Sequence, residues 1–197
     1  MLNSYSPDDI TVVTPWNISP LGSIAINNAI QQLVNPVNDK FIKYKYRQQE
    51  IKFHENDIVL NTKNDYHAMC DDYENECAIF NGETGHIIEL TDDDDMIVQF
   101  DDRRVIFNKD NIKHLLLGYC VNSYKLQGSQ NKAIIVITNE QHEQYLNKNI
   151  MYTNLTRAEE KLVEIGTLTT IAKCVKINTT NQRNTQLKEM IKNVCLS

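Results

Sequence analysis

Apolar residues along the chain gather in short runs of two different textures. The run "ITVVTP" at 10–15 is β-branched and unbroken, as expected of a buried strand that Pro15 ends. In "NISPLGSIAINNAIQQLVNP" at 17–36, Ser19 can cap a helix with Pro20 at its first position. Ile26, Ile30 and Leu33 then recur at helical spacing, and Pro36 marks the stop. From about Arg47 the period shortens toward two, with "DIVLNT", "GHIIEL", "MIVQF" and "RVIF" reading as short strands and "NGETG" and "DDR" as tight connections. Beyond these, "HLLLGYCV", "AIIVIT" and "KLVEIGT" are continuous apolar runs of parallel-sheet character, the last two separated by a helical stretch near 146–158. The pattern predicts an α/β domain with a parallel sheet over 1–46 and 116–197. A small antiparallel β-barrel at 47–115 interrupts it. No internal repeat is evident.

Composition narrows the classes. The 197 residues are 41% hydrophobic, enough to bury a core. Lys and Arg number 20 against 26 Asp and Glu, a net charge of -6, so contact with a polyanion must be local. Cys70, Cys77, Cys120, Cys174 and Cys195 form no CxxC pair, which argues against a disulfide framework or a zinc site and for a reduced, cytoplasmic protein. The five histidines share no metal-ligand spacing, so no protein-held metal is assigned. No apolar run reaches the roughly 18 residues of a membrane span, and no membrane partner is expected.

Two polar stretches carry candidate chemistry. "YCVNSYKLQGSQ" at 119–130 lies between apolar runs, where open α/β sheets place ligands near a strand end. Gly128 would let backbone approach a phosphate, while Lys125 and the hydroxyls of Ser123, Tyr124 and Ser129 could contact phosphate oxygens. An ordinary polar crossover loop is the competing reading. In "MYTNLTRAEEKLVEIGT" at 151–167, Leu146, Ile150 and Leu155 can face the sheet, which mounts Arg157 rigidly just before the next strand. An anchored guanidinium can neutralise charge on a γ-phosphate, and a surface ion pair with Glu159 or Glu160 is the alternative. Trp16 offers either a base-stacking ring or ordinary packing.

Taken together with "TPWNISPLGSIAIN" at 14–27, these stretches come in the order and spacing of motifs four, five and six of superfamily 1 helicases. The chain most resembles the RecD-like branch, the exonuclease V alpha-subunit type. Within "NSYKLQGSQ" the residues matching motif five are Lys125, Gln127, Gly128 and Ser129, and the Thr-Arg-Ala of motif six is matched by Thr156, Arg157 and Ala158. "ENDIVLNTKNDY", "IFNGETGHIIEL" and "MIVQFDDRRV" resemble the family's SH3-like module, and the likeness extends to "NQRNTQL" around Arg183. The resemblance implies a RecA-like, P-loop NTPase-type domain with an inserted SH3-like barrel, and 5′ to 3′ DNA helicase activity driven by ATP and Mg2+. It also implies that Gln127, Gly128, Gln130 and Arg157 face ATP, with Arg157 as arginine finger. Thr14, Pro15, Trp16, Asn122, Ser123, Tyr124 and Lys125 would face single-stranded DNA, joined by Asn64, Tyr66 and Asn81 of the insert.

The departures are specific. Gln130 stands where the family usually has Glu, Tyr124 where it has His, Asn122 where it has Thr, and Asn17 where motif four offers Arg. No GxxxxGK[ST] loop occurs, and no acidic Mg2+-holding motif follows an apolar strand; "TDDDDM" reads as a solvated turn. The expectation is therefore a C-terminal portion whose ATP site is completed by an N-terminal RecA-like half, inactive as an ATPase alone, with nuclease or helicase subunits as possible partners. A catalytically silent DNA-binding or subunit-interaction module is the alternative.

Overall fold

The computed structural model describes residues 4–36, 39–177 and 191; Arg183 lies outside them. The chain enters on β1 (Ile10–Thr14) and α1 (Ser23–Val34). It then runs through β2 (Ile42–Tyr46), β3 (Gln49–Phe53), β4 (Ile58–Asn61), β5 (Asp65–Met69), β6 (Glu76–Ile79), β7 (Thr84–Leu90), β8 (Met96–Phe100), β9 (Arg103–Phe107) and β10 (Leu115–Leu117). It returns on β11 (Cys120–Asn122), β12 (Asn131–Thr138), α2 (Lys148–Leu155), β13 (Ala158–Gly166) and α3 (Leu168–Lys176).

Strands β11, β1, β12 and β13 lie side by side in that order, all parallel; β1 and β12 are the inner pair, as their unbroken apolar runs predict, whereas the edge strand β13, expected to be buried as well, leaves Leu162 and Ile165 exposed. The antiparallel part is a five-stranded sheet in the order β10-β4-β7-β8-β9, with the hairpins β2–β3 and β5–β6 beside it. Along β8 the burial alternates, Met96, Val98 and Phe100 inward, the period-two signature of a sheet with one wet face.

Three expectations are corrected. Helix α1 starts at Ser23, with Gly22 and not Ser19 as its cap, because residues 16–22 fold back over its first turn. There the Ser23 and Ile24 amides donate to the Trp16 and Asn17 carbonyls. A Cβ on Gly22 would sit 2.4 Å from the Asn17 carbonyl oxygen, so only glycine fits. The helix also buries a different stripe, Ile24, Asn27 and Gln31, and leaves Leu33 82% exposed. Asn27 can be buried because it completes the backbone of β11, an outer strand of the parallel sheet. Its Nδ2 donates to the Cys120 carbonyl and its Oδ1 accepts from the Cys120 amide, both at 2.7 Å.

Third, "HLLLGYCV" is two strands. Leu115–Leu117 pairs antiparallel with β4, and only Cys120–Asn122 joins the parallel sheet. Gly118 makes the turn, its amide on the Ile58 carbonyl at 2.8 Å, with no room for a Cβ against the Ile58 side chain at 2.9 Å. The boundary predicted at 46/47 accordingly falls inside the β2–β3 hairpin, and that at 115/116 inside β10.

The two sheets share apolar contacts. Leu60 of β4 packs with Val13, Val121, Leu126, Ile134 and Val136 of the parallel part, and Ile24 of α1 packs into the antiparallel core. At the junction Asp57 is fully buried. Its Oδ1 accepts from Asn35 Nδ2 (2.9 Å) and the Tyr119 hydroxyl (3.0 Å), and its Oδ2 from Gln31 Nε2 (2.6 Å) and the His54 amide (3.0 Å). Burial pushes the Asp57 pKa up, and the donors around it oppose that shift.

Candidate functional site

Residues 123–130 form the crossover from β11 to β12, passing the intervening β1. Its front begins at the carboxyl edge of the parallel sheet, where Asn122 pairs with Thr14. Its back ends at the opposite, amino edge: Gln130 precedes the first residue of β12, Arg157 precedes the first residue of β13, and the Asn131 amide donates to the Arg157 carbonyl at 3.1 Å. The sequence placed the whole stretch near a strand's ligand-binding end. The structure instead runs the stretch from one edge to the other: 122–129 form successive tight turns, with the Gln127 amide on the Tyr124 carbonyl at 3.4 Å and the Ser129 amide on the Leu126 carbonyl at 3.2 Å, so Tyr124 and Gln127 stay neighbours while Gln130 and Arg157 lie at the amino edge. Leu126, buried with Val13 and Ile134, pins the middle of the crossover to the sheet.

Gln127, Gly128 and Gln130 are exposed, Gly128 has φ +91°, and Gln130 lies at the amino edge. Gln130 opens on a cleft of about 400 Å³ also lined by Asp8, Thr11 and His86. Arg157 is half-buried; its Nη2 reaches the Thr156 hydroxyl at 3.4 Å, and its Nε is enclosed with no hydrogen-bond partner among the described residues. The ion pair with Glu159 or Glu160 is not formed, and Glu160 instead accepts from the Tyr5 hydroxyl at 3.2 Å. An enclosed guanidinium nitrogen without an acceptor is costly, and an incoming anionic oxygen would satisfy it.

At the carboxyl edge several expectations are corrected. Thr14, Pro15 and Ser123 are buried. The Thr14 hydroxyl donates to the Leu21 carbonyl at 2.8 Å, and the Ser123 hydroxyl accepts from Asn154 Nδ2 at 3.0 Å, so these side chains brace the edge from beneath. Asn122 is half-buried; its Nδ2 donates to Asn17 Oδ1 at 3.0 Å and its Oδ1 accepts from the Lys125 amide at 2.9 Å. Asn17 also accepts from the Ser23 hydroxyl at 2.9 Å, so where the resemblance expects an arginine stands a brace of the loop. Trp16 and Tyr124 are exposed.

Lys125 links this edge to the antiparallel part. Its Nζ donates to Asn81 Oδ1 at 3.1 Å, and the Asn81 amide donates to Asn64 Oδ1 at 2.8 Å. Burial lowers the Lys125 pKa. Tyr66 is exposed nearby in sequence on β5 and packs edge-on against Phe80, with ring centroids 6.0 Å apart. Asn64, Tyr66, Asn81 and Lys125 thus lie along one linked surface.

Two residues escaped the sequence reading. Asn154, fully buried on α2, holds Ser123 through its side chain, and its carbonyl accepts the Arg157 amide at 3.4 Å, so it joins the front of the crossover to the mount of Arg157. Its one sequence signal is a polar residue among the apolar positions of "MYTNL". Tyr145, stacked on Trp16, has no local signal at all.

Comparisons with known proteins place the chain among helicase relatives. The family described as UvrD-like helicase C-terminal domain matches residues 117–163, a span that holds the first polar stretch and all but the last four residues of the second. The ATP-dependent RecD2 DNA helicase of Deinococcus radiodurans is 31% identical over 189 residues, covering 94% of this chain and 24% of that protein. Among solved structures, Pif1 from Bacteroides bound to single-stranded DNA superposes with a TM-score of 0.59 at 16% identity, covering 93% of this chain and 46% of that one. Pif1 from Candida albicans gives 0.55 at 14% identity, covering 96% and 51%. The chain spans about a quarter of the length of the curated relative it matches. The chain carries a UvrD-like helicase C-terminal domain over residues 117–163, is similar in sequence to RecD2 along most of its length, and shares its fold with the Pif1 structures.

Proposed function

We propose that the chain is the C-terminal portion of an ATP-dependent 5′ to 3′ DNA helicase of the RecD-like branch. Strand β1, helix α1 and the chain from β11 onward would make the second RecA-like lobe, and the antiparallel segment from β2 to β10 an SH3-like barrel inserted in it. The observation that carries the reading is the crossover 123–130, which joins a carboxyl edge bearing Trp16, Asn122 and Tyr124 to an amino edge bearing Gln130 and Arg157, with Gln127 and Gly128 in the turns between. Single-stranded DNA would run over the first edge and ATP would meet the second. A change at either end moves the other through Leu126 and through the Ser123–Asn154–Arg157 connection. That is a physical route from nucleotide state to grip on the strand.

In this scheme ATP is held between the chain and an N-terminal RecA-like half that supplies the phosphate-cradling loop. Mg2+ supplies charge neutralisation at the phosphates when bound. Among the described residues no cluster of three or more acidic, histidine or cysteine side chains could hold a metal, so its ligands are assigned to the other half. Arg157 would present its fork to the γ-phosphate as charge builds there.

The test is Arg157→Ala in the protein carrying both halves. Turnover should fall about 10³-fold or more with DNA affinity nearly unchanged, because the charge acts on the transition state more than on bound ATP. Arg157→Lys should recover little, since an ammonium lacks the planar fork. Turnover near wild type in Arg157→Ala would remove the assignment.

A further inference from the structure

We propose that Trp16 and Tyr145 form a two-ring platform on which one base of a single strand stacks; this rests on the single-stranded DNA reading above and gives it a specific contact. The rings lie 4.3 Å apart and within 8° of parallel, yet Trp16 remains 39% exposed, so the stack is open to a third ring. Parallel stacking of this kind is what aromatic side chains offer to bases, whatever the sequence.

The platform is assembled in advance. Trp16 follows β1 by two residues, and its carbonyl accepts the Ser23 amide at 2.9 Å, fixing its backbone to the start of α1. Tyr145 closes the short helical turn 140–145 after β12, and the same turn carries buried His142, whose Nε2 lies 2.9 Å from the Ser19 hydroxyl. Burial lowers the His142 pKa, consistent with a neutral ring there. Two loops 120 residues apart in sequence are thereby clasped at the carboxyl edge, and little order remains to be imposed when a base arrives.

The surroundings suit a base as well. Next to the turn, a cleft of about 670 Å³ at the ends of β12 and β13 is lined by Leu21, Asn139, Glu140, Gln141, Ile165 and Thr167 among others. Its amides and hydroxyl can meet base edges and sugar, while its lining holds the Glu140 carboxylate and no basic side chain. Phosphate contacts would therefore come from elsewhere, and the platform would recognise the base itself.

Trp16 is the sole tryptophan, so its emission reports this position alone. The 197-residue chain is titrated at low salt with an end-labelled thymidine oligomer, following label anisotropy and Trp16 emission together. Quenching that tracks the anisotropy rise is expected, and an abasic oligomer of equal length should raise anisotropy without the quench. Tyr145→Ala should weaken binding roughly 5- to 100-fold, and Tyr145→Phe should restore it, since the hydroxyl takes no part in stacking. If anisotropy rises while Trp16 emission stays constant, or the abasic strand quenches equally, the platform is refuted and the single-strand reading stands. Absence of any anisotropy change overturns both.

Discussion

Replacing Asp57 by alanine puts the junction between the two sheets under direct test. The substitution withdraws the acceptor from four donors, the part-buried Asn35 Nδ2 and the buried Gln31 Nε2, Tyr119 hydroxyl and His54 amide. Two of these keep other acceptors, Asn35 at the Glu55 carbonyl (2.9 Å) and Gln31 at the Lys52 carbonyl (2.7 Å). The Tyr119 hydroxyl and the His54 amide do not. At about 1–3 kcal/mol for each orphaned buried donor, the expected loss is about 2–6 kcal/mol. With a urea slope of about 2 kcal/mol/M, that moves the unfolding midpoint down by about 1–3 M at unchanged slope. Adding Tyr119→Phe removes one of the orphaned donors, so the double variant should be less destabilised than the two single losses added together. Urea denaturation followed by circular dichroism measures all three. A loss below about 1 kcal/mol for Asp57→Ala would mean that water or rearranged side chains replace the carboxylate, and the junction would not be the buried network described.

Two further outcomes are expected. Hydrogen bonds from Lys132 and Ser6 hold the Asp9 carboxyl down to about 2, below its ordinary value, so its stabilising effect is present above about pH 4 and lost as pH falls toward 2; thermal melts from pH 5 to 2 should show a smaller acid loss in Asp9→Asn than in wild type. Gly128 has φ +91° with open space where a Cβ would go, whereas a Cβ on Gly85 would lie 2.5 Å from the Gln99 carbonyl; Gly128→Ala should cost only about 1–2 kcal/mol of backbone strain, and Gly85→Ala clearly more by the same denaturation assay.

The legible parts of this fold were those whose signal is local. "ITVVTP" and "AIIVIT" are apolar without interruption because both faces of a central parallel strand are covered, and "MIVQF" alternates because one face is wet. The stripe of α1 misled for the opposite reason: Asn27 and Gln31 are polar and buried because their partners are a strand backbone and Asp57, far away in sequence. The break at Gly118 was equally hidden, since it follows from the approach of Ile58 and Val59. In the site, the packing of Leu146, Ile150 and Leu155 ahead of Arg157 follows the helical spacing of "LNKNIMYTNL". The burial of Thr14 and Ser123 and the pairing of Trp16 with Tyr145 depend on contacts across tens to more than a hundred residues, which no single stretch announces.

The placement of β1 in the middle of the parallel sheet carries a consequence for how the chain is made. Its neighbours, β11 and β12, begin at Cys120 and Asn131, so during synthesis the strand at Ile10 waits for more than a hundred residues before either exists. The antiparallel segment between them pairs mostly with near neighbours in sequence and can form first. Once formed, it brings Asn35 and Tyr119 to the same carboxylate, shortening the loop that β1 must close from the whole intervening chain to the 21 residues from Thr14 to Asn35 and the single step from Tyr119 to Cys120. The insert is then a folding scaffold for the sheet that surrounds it in sequence. Variants that weaken it should show their first symptom as slow refolding of the parallel strands.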